Sequence, residues 1–256
     1  MRAVPAFGGM EIVERIGSTS DLCRERAAAG AADGFAVLAR EQTAGRGSRG
    51  RGWVSVVGNL HLSVLLHEAA PLAEAGGYAL LAGLALIDAL DPLRPATATL
   101  TLKWPNDVLC NGGKLGGVLI ETAADPSGRL AWLVLGFGAN LRVAPELPDR
   151  PSVALGATLA PEQVAASVLE RLAHWRARRR REGWLAVQAA WSARAHPPGT
   201  PLTVAAAGER VSGAFAGLAP DGTLLLATPG GTRRFSTGEV LLGTTLTNEA
   251  GHAACR

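Results

Sequence analysis

The fold of this chain is decided by the stretch Lys114-Leu115-Gly116-Gly117-Val118-Leu119-Ile120-Glu121 and by the apolar run Leu130 to Phe137 that follows it. The two are joined by Asp125-Pro126-Ser127-Gly128, a strong turn sequence. Two apolar runs around such a turn predict an antiparallel hairpin, with strands over 115–121 and 130–137. Lys114 begins the first strand among four glycines. A lysine in that setting contributes little to packing, but its ammonium is a compact positive charge that could contact a phosphoryl group during transfer.

Outside the hairpin, short strands and helices alternate. Strands are predicted over 12–16, 35–39, 60–66 and 100–104, and helices over 18–29, 78–90 and 161–182. After His196-Pro197-Pro198-Gly199 only short strands follow, with a hairpin turn at Pro220-Asp221-Gly222. This order predicts one large domain over 1–196, a small β-barrel over 197–246 and a flexible tail over 247–256.

Composition excludes several classes of protein. Of the 256 residues, 48% are hydrophobic and 18% are charged, which provides a core and excludes wholesale disorder. The longest nearly uncharged apolar stretch, Tyr78 to Ile87, is far shorter than the ~20 residues of a membrane span. The amino terminus has no apolar signal core. Cys23, Cys110 and Cys255 show neither metal-ligand spacing nor a disulfide framework, which favours a reducing cytoplasm.

The net charge of +3 and the isoelectric point of about 9.1 raise the question of nucleic-acid binding. The arginines concentrate in the segment 46–51 and in the run Arg178 to Arg181. The run lies at the end of a predicted helix, where cations interact favourably with the helix dipole. We interpret the run as a helix end, with a nucleic-acid or other anionic partner as the alternative.

The segment Glu41 to Trp53 is rich in Gly and Arg and has no apolar period, so we predict a loop, here called the Gly/Arg loop. Its glycines would let the backbone approach a ligand, and its arginines would pair with phosphate or carboxylate groups. Trp53 would stack on a base or close a pocket. The spacing is not a dinucleotide-binding fingerprint, because no apolar helix follows. A mobile surface loop and an RNA-binding segment are the alternatives.

Two further motifs lie at predicted strand ends. In Lys103-Trp104-Pro105-Asn106-Asp107, the Asn would read an adenine edge and the Asp would hold Mg²⁺ or orient a lysine. A simple turn is the alternative for this motif. In Gly136-Phe137-Gly138-Ala139-Asn140, the alternate glycines would allow a ligand close to the backbone.

In this order, the motifs resemble those of the biotin protein ligases, the biotin–[acetyl-CoA-carboxylase] ligases. The resemblance runs from about residue 11 to 243 and includes Ser18-Thr19-Ser20, Gln42 and Gly238-Glu239-Val240. It implies an α+β fold, with a mixed and mostly antiparallel sheet flanked by helices as in class II synthetases. A small C-terminal SH3-like β-barrel would follow. The implied activity joins biotin and Mg·ATP to biotinyl-5′-AMP, and then transfers biotin to a lysine of the biotin carboxyl carrier protein of acetyl-CoA carboxylase.

The resemblance also implies site residues. Lys114, Arg46 and Arg49 would be catalytic, with Lys114 contacting the biotin carboxylate and the α-phosphate. The biotin site would consist of Ser18, Thr19, Ser20, Gln42, Gly45, Arg46, Gly47, Ser48, Arg49, Lys114, Gly116, Gly117, Gly136 and Gly138. The nucleotide site would consist of Arg51, Trp53, Lys103, Asn106, Asp107 and Asn140. Asp107 and Asn140 would also be ligands of Mg²⁺.

The chain departs from the family pattern in two positions. Ser48 stands where the family loop usually has a basic residue, so either Arg46 or Arg49 would guard the adenylate. Ser20 stands where the family often has Asn. No helix-turn-helix domain precedes Ser18, so neither DNA binding nor the repressor function of bifunctional members is expected.

Two other functions remain open. A lipoate or octanoate ligase on the same fold is disfavoured, because that family's Arg-Arg-x-Ser-Gly-Gly-Gly segment has no counterpart here. A non-catalytic nucleic-acid-binding module would instead use the two arginine-rich segments. The partners expected are biotin, ATP and the carrier protein, with no membrane; a homodimer is left open.

Overall fold

The structure, a computed structural model, describes residues 9–147, 150–156, 158–242 and 255. In these residues the α-helices are α1 (Thr19–Ala28), α2 (Ala75–Leu90) and α3 (Pro161–Ala193). The strands are β1 (Met10–Ile16), β2 (Ala36–Gln42), β3 (Leu60–Leu66), β4 (Leu100–Lys103), β5 (Asp107–Cys110), β6 (Gly113–Ala124), β7 (Leu130–Ala139), β8 (Pro201–Ala206), β9 (Glu209–Leu218), β10 (Leu224–Thr228), β11 (Gly231–Phe235) and β12 (Glu239–Leu242).

The first seven strands form one sheet in the order β1-β2-β3-β7-β6-β5-β4. Only the β1–β2 pair is parallel among these described strands, so the predicted mixed, mostly antiparallel sheet is confirmed. The predicted β6–β7 hairpin is also confirmed, with pairing from Gly116↔Ala139 to Ala124↔Leu130. The Lys103–Asp107 motif forms the turn between β4 and β5, where its two end residues face each other.

Helices cover both faces of this sheet. The side chains of β3 point alternately to the two faces and so belong to two different apolar clusters. Leu60, Leu62 and Leu66 belong to the large core with α2, while Leu65 joins a smaller cluster with Cys23 of α1. Helix α3 packs against α2 and also contacts β3. The segment Leu72–Leu93 is long and apolar enough to cross a membrane, but α2 is buried in the core. Its apolar character is therefore that of a core helix.

The helix α3 differs from its prediction. It was expected to end at Glu182; instead it breaks at Gly183, whose φ is +77°, and continues to Ala193. A left-handed backbone is available to Gly at little cost, which explains the break. The preceding arginines pair with carboxylates of the same chain: Arg178 and Arg181 with Glu182, Arg179 with Glu74, and Arg180 with Glu68. The alternative of a nucleic-acid contact gains no support from this arrangement.

The C-terminal strands form a five-stranded antiparallel sheet in the order β11-β10-β9-β8-β12. The predicted barrel is corrected to an open sheet, because no pairing joins its edge strands β11 and β12 in the described residues. Trp104 Nε1 donates a hydrogen bond to the carbonyl of Gly222 (3.1 Å), and the side chain of Gln188 donates to the carbonyl of Pro220. The two sheets are thus docked against each other, and the division at residues 196 and 197 stays a prediction.

The predicted tail 247–256 lies outside the described residues except for Cys255. Cys255 is buried beside Cys110 of β5, with Cα atoms 6.3 Å apart, a separation that a disulfide can bridge. The sequence showed no disulfide framework and did not predict this contact. Residues 145 positions apart have no spacing signal that would have predicted this pair.

Candidate active site

Hydroxyl groups gather where α1 begins. Ser18 occupies the N-cap position with an extended backbone, but its side chain makes no capping hydrogen bond. The backbone N–H and Oγ1 of Thr19 donate to Gln42 Oε1 at 2.8 and 3.0 Å. Ser63 Oγ lies 2.7 Å from Thr19 Oγ1 and 3.1 Å from Ser20 Oγ. These hydroxyls therefore form a polar wall on the α1 face of the sheet.

This wall borders a cavity that opens to solvent, here called the first cavity. Leu119, which pairs with Gly136 on the neighbouring strand, adds apolar surface. Gly136 lies against the polar wall, where a Cβ would come within 3.0 Å of Ser20 Oγ. The complete lining is Ser18, Thr19, Ser20, Gln42, Arg46, Gly47, Ser48, Trp53, Leu62, Ser63, Asn106, Asp107, Lys114, Gly117, Val118, Leu119, Gly136, Phe137 and Gly138. One ligand would meet hydrogen-bonding groups and apolar surface here.

A second cavity adjoins the first. Its lining is Gly47, Ser48, Arg51, Gly52, Trp53, Val54, Lys114, Asn140, Pro145, Leu147, Arg150 and Ser152. Lys114 and Trp53 line both cavities, so the cavities meet at these side chains. The Trp53 ring lies on Gly138, where a Cβ would be 2.6 Å from two ring carbons. Position 138 must therefore be glycine for the Trp53 ring to fit there.

Asp107 is buried between two ammonium groups at this junction. Lys114 Nζ donates to Asp107 Oδ1 at 2.6 Å, and Lys103 Nζ lies 3.1 Å from Oδ2. Burial by itself would raise the pKa of Asp107, but the charges of Lys114 and Lys103 outweigh it and hold the pKa below its ordinary value. The carboxylate is therefore ionised and fixes the position of the Lys114 ammonium.

Arg46 is held by carboxylates at the edge of the first cavity. Its Nη2 donates to both oxygens of Glu121 at 3.0 and 2.8 Å, and its Nη1 donates to Asp21. Burial would lower the pKa of Arg46, but these hydrogen bonds and charges raise it above its ordinary value. The backbone of Arg46 pairs with Gly52 across the loop. The base of the Gly/Arg loop is thereby fixed to α1 and β6.

The tip of the same loop is held by the C-terminal sheet. Glu239 Oε2 accepts from Arg49 Nη1 at 2.9 Å, and Oε1 accepts from Arg51 Nη1 at 2.7 Å and Arg150 Nη2 at 3.0 Å. Burial would raise the pKa of Glu239, but Arg51, Arg150 and Arg49 hold it below its ordinary value. Ser48 lines both cavities and therefore lies at their junction. Arg49, one of the two arginines expected to guard the adenylate, lines neither cavity.

Known families match both sheets. The biotin/lipoate A/B protein ligase family matches residues 12–140, half of the chain, and the biotin protein ligase C-terminal domain matches residues 199–243. The chain belongs to the biotin/lipoate A/B protein ligase family. The expected relationship and the expected fold are therefore confirmed.

Individual members of the family are similar over most of the chain. A biotin–[acetyl-CoA-carboxylase] ligase of Paracoccus denitrificans is 36% identical over 81% of this chain and 90% of that protein. One of Mycobacterium tuberculosis is 39% identical over 65% of this chain and 65% of that protein. A solved biotin protein ligase of Aquifex aeolicus, in complex with biotin and ATP, has a TM-score of 0.75 at 25% identity. That likeness covers 92% of this chain and 99% of the other.

Most residues predicted for the ligase site line one of the two cavities. Four lie behind the linings. Gly45 and Gly116 pack against backbone, where a Cβ would be 2.6 Å from the Trp53 carbonyl oxygen and 2.7 Å from the Gly138 carbonyl oxygen. Lys103 lies behind Asp107, and Arg49 lies on Glu239. The binding roles of these four residues, and of the predicted residues that line the cavities, stay predictions.

The nucleotide prediction is divided between the cavities. Arg51, Trp53 and Asn140 line the second cavity, whereas Asn106 and Asp107 line the first. The side chain of Asn106 donates to the carbonyl of Val118 and so braces the turn against β6. A nucleotide in the second cavity would meet Asn106 and Asp107 only at the junction.

The predicted Mg²⁺ ligands fit the ion unequally. Asp107 accepts from two ammonium groups, which leaves it a poor metal ligand. Asn140 Oδ1 is buried without a hydrogen-bond partner, while its amide nitrogen donates to Ser152 and Val153. No group of three His, Cys, Asp or Glu suited to a metal occurs among the described residues. An ion at this site would need phosphate oxygens as ligands besides Asn140.

Sequence reasoning missed several polar residues at or behind the linings. They are Ser63, Arg150 and Ser152 in the linings, and Asp21 and Glu121 behind Arg46. Ser63 had a usable signal, because it is a polar residue on the face of β3 opposite the leucines of the core. Glu121 ends the quoted strand, but its partner lies 75 positions away along the chain.

Proposed function

We propose that this chain is a biotin protein ligase, which activates biotin with ATP and transfers it to a lysine of a biotin carboxyl carrier protein. The observation that carries the proposal is the pair of adjoining cavities that share Lys114. Biotin would occupy the first cavity and ATP the second. The curated relatives named as biotin–[acetyl-CoA-carboxylase] ligases support the same substrates.

In the first half-reaction, a biotin carboxylate oxygen attacks the α-phosphorus of ATP and pyrophosphate leaves. Two anions must come together for this attack. Lys114 lies at the junction, so its positive charge would lower the repulsion between the two anions. The same charge would stabilise the negative charge on the phosphoryl group in the transition state. Asp107 would keep the ammonium in place. Mg²⁺ bound with ATP would offset further phosphate charge, with Asn140 as the side chain placed to contact it.

In the second half-reaction, the carrier lysine attacks the biotinyl carbonyl carbon, an amide bond forms and AMP leaves. The adenylate must survive until the carrier arrives, so water must be kept away from it. The Gly/Arg loop is suited to this task. It is held at its base by Asp21 and Glu121 and at its tip by Glu239.

The polar wall favours biotin over lipoate, although the family includes ligases for both. The ureido ring of biotin offers two N–H donors and a carbonyl acceptor. Thr19, Gln42 and Ser63 provide hydroxyl and amide partners for such a ring. The dithiolane ring of lipoate has no comparable donors or acceptors, so it would gain no hydrogen bonds from this wall.

The test is exchange of labelled pyrophosphate into ATP with biotin or lipoate as the acid. We expect exchange with biotin and, after addition of the carrier domain, biotin on its acceptor lysine. Exchange with lipoate alone would replace the proposal by the lipoate alternative. Because the reaction consumes ATP, we also place it in the cytoplasm; secretion of the native protein would contradict that part.

A further inference from the structure

Lysine is rare in this chain. The sequence holds 25 lysines and arginines, and only two of them, Lys103 and Lys114, are lysines. The other 23 are arginines. Both lysines belong to the site that the resemblance marked out. The positive charge of the remaining surface is therefore carried by guanidinium groups.

The fold holds both lysines in ion pairs and leaves little of either side chain exposed. The side chains of Lys103 and Lys114 are 13% and 17% exposed, and both pair with the buried carboxylate of Asp107. Lys103 Nζ also donates to the carbonyl of Val240 in the C-terminal sheet at 3.4 Å. Exposed positions carry arginine instead, such as Arg181 on α3, whose side chain is 66% exposed.

This distribution matters because an acyl adenylate reacts with amines. A neutral ε-amine attacks the acyl carbon, the bond from that carbon to the phosphate oxygen breaks, AMP leaves with the electron pair and the amine proton passes to solvent. A guanidinium stays protonated at neutral pH and offers no comparable lone pair. Arginine therefore supplies positive surface charge without supplying an acceptor for the acyl group.

We propose that this protein resists acylation by the activated intermediate that it makes. Its surface cations are arginines, and its two lysines are held by the carboxylate of Asp107 inside the site. The biological meaning of this resistance rests on the proposed function. Adenylate that escapes the site would be lost to water or would label other proteins, while the ligase itself would stay unmodified.

The experiment supplies synthetic biotinyl-5′-AMP directly, so that it does not depend on the enzyme's own activity. The folded wild-type chain is compared with Arg181→Lys and with Arg181→Gln, which removes the same ion pair without adding an amine. Serum albumin in each reaction reports that the reagent acylates exposed lysines. Peptide mapping scores biotin on side chains and sets aside the terminal amine. A wild-type sample unfolded in urea reports whether the two native lysines react once exposed.

We expect albumin to be labelled, Arg181→Lys to gain one biotinyl group at position 181, and folded wild type and Arg181→Gln to gain none on Lys103 or Lys114. The unfolded sample should be labelled at both lysines. Labelling of the folded wild type at either lysine, to the extent seen at position 181 of the variant, would overturn the proposal. So would an unlabelled Arg181→Lys or an unlabelled unfolded chain. Failure of the ligase function is scored separately, by pyrophosphate exchange.

Discussion

At the scale of single residues, Lys114 is the side chain at which the two cavities meet. Lys114→Ala should keep the fold, because the lysine is not part of the apolar core. The substitution should lower the rate of biotinyl-AMP formation by about 100-fold or more, the usual effect of removing a group that stabilises charge in the transition state. Single-turnover formation of the adenylate is the measurement, with thermal unfolding as the check on folding. Near-normal adenylate synthesis would remove Lys114 from its role.

His61 is a second residue with a measurable signature. It is buried on the site face of β3, where its Nε2 lies 3.3 Å from Ser55 Oγ. Burial lowers the pKa of His61 below its ordinary value of 6.5. The folded state thus binds fewer protons than the unfolded chain, so the free energy of unfolding should decrease as the pH falls below about 6.5.

Replacement of that histidine tests the sign. His61→Gln cannot titrate, so the variant should lose less stability than wild type between about pH 8 and pH 5. Thermal unfolding at the two pH values measures the difference. The loss should not vanish, because burial also lowers the pKa of His196. An equal loss in both proteins would show that His61 does not contribute.

At the scale of elements, the β6–β7 hairpin positions Trp53 through a glycine. Gly138→Ala would place a Cβ 2.6 Å from the ring, so Trp53 must move away from the junction. We expect KM for biotin and for ATP to rise by about tenfold, equivalent to about 1.4 kcal/mol for each ligand. Gly76→Ala in α2 is the matched control, since a Cβ there meets nothing within 4 Å. Unchanged KM values for Gly138→Ala would contradict the role given to Trp53.

The elements also show which local patterns predict structure. Strand β3 and the β6–β7 hairpin were predicted well, because their apolar runs and turn residues lie next to one another in the sequence. Strand β5 was missed because it has only four residues between two turns, which is too short to show an alternation of apolar and polar residues. Strand β12 was missed for the same reason. The break at Gly183 was interpreted as the end of the helix, because a glycine can either end a helix or interrupt one that continues, and the sequence does not distinguish the two.

At the scale of the whole molecule, Glu239 connects the C-terminal sheet to the second cavity. Arg51 and Arg150, two of its three partners, line that cavity. A neutral amide accepts weaker hydrogen bonds than a carboxylate and gives no charge attraction. Glu239→Gln should therefore raise KM for ATP by about tenfold and leave KM for biotin close to wild type.

The matched control for this variant is Glu209→Gln. Glu209 pairs with Arg233 inside the C-terminal sheet at 2.9 and 3.0 Å, away from the loop arginines. Steady-state kinetics with ATP and biotin varied in turn measure both variants. Equal effects of the two variants, or a change confined to biotin, would separate Glu239 from nucleotide binding.

The sequence by itself determined the order of the motifs, the family and most strands, because turn chemistry, apolar periodicity and the residue types of a motif are local properties. Lys114 and the Gly/Arg loop were found in this way. Only the tertiary structure decided the partners of the arginines and the place of Ser48 at the junction. Arg49 finds its carboxylate 190 positions further along the chain. Such pairs depend on sheet register and on the docking of two sheets, and neither is encoded in the neighbouring residues of either partner.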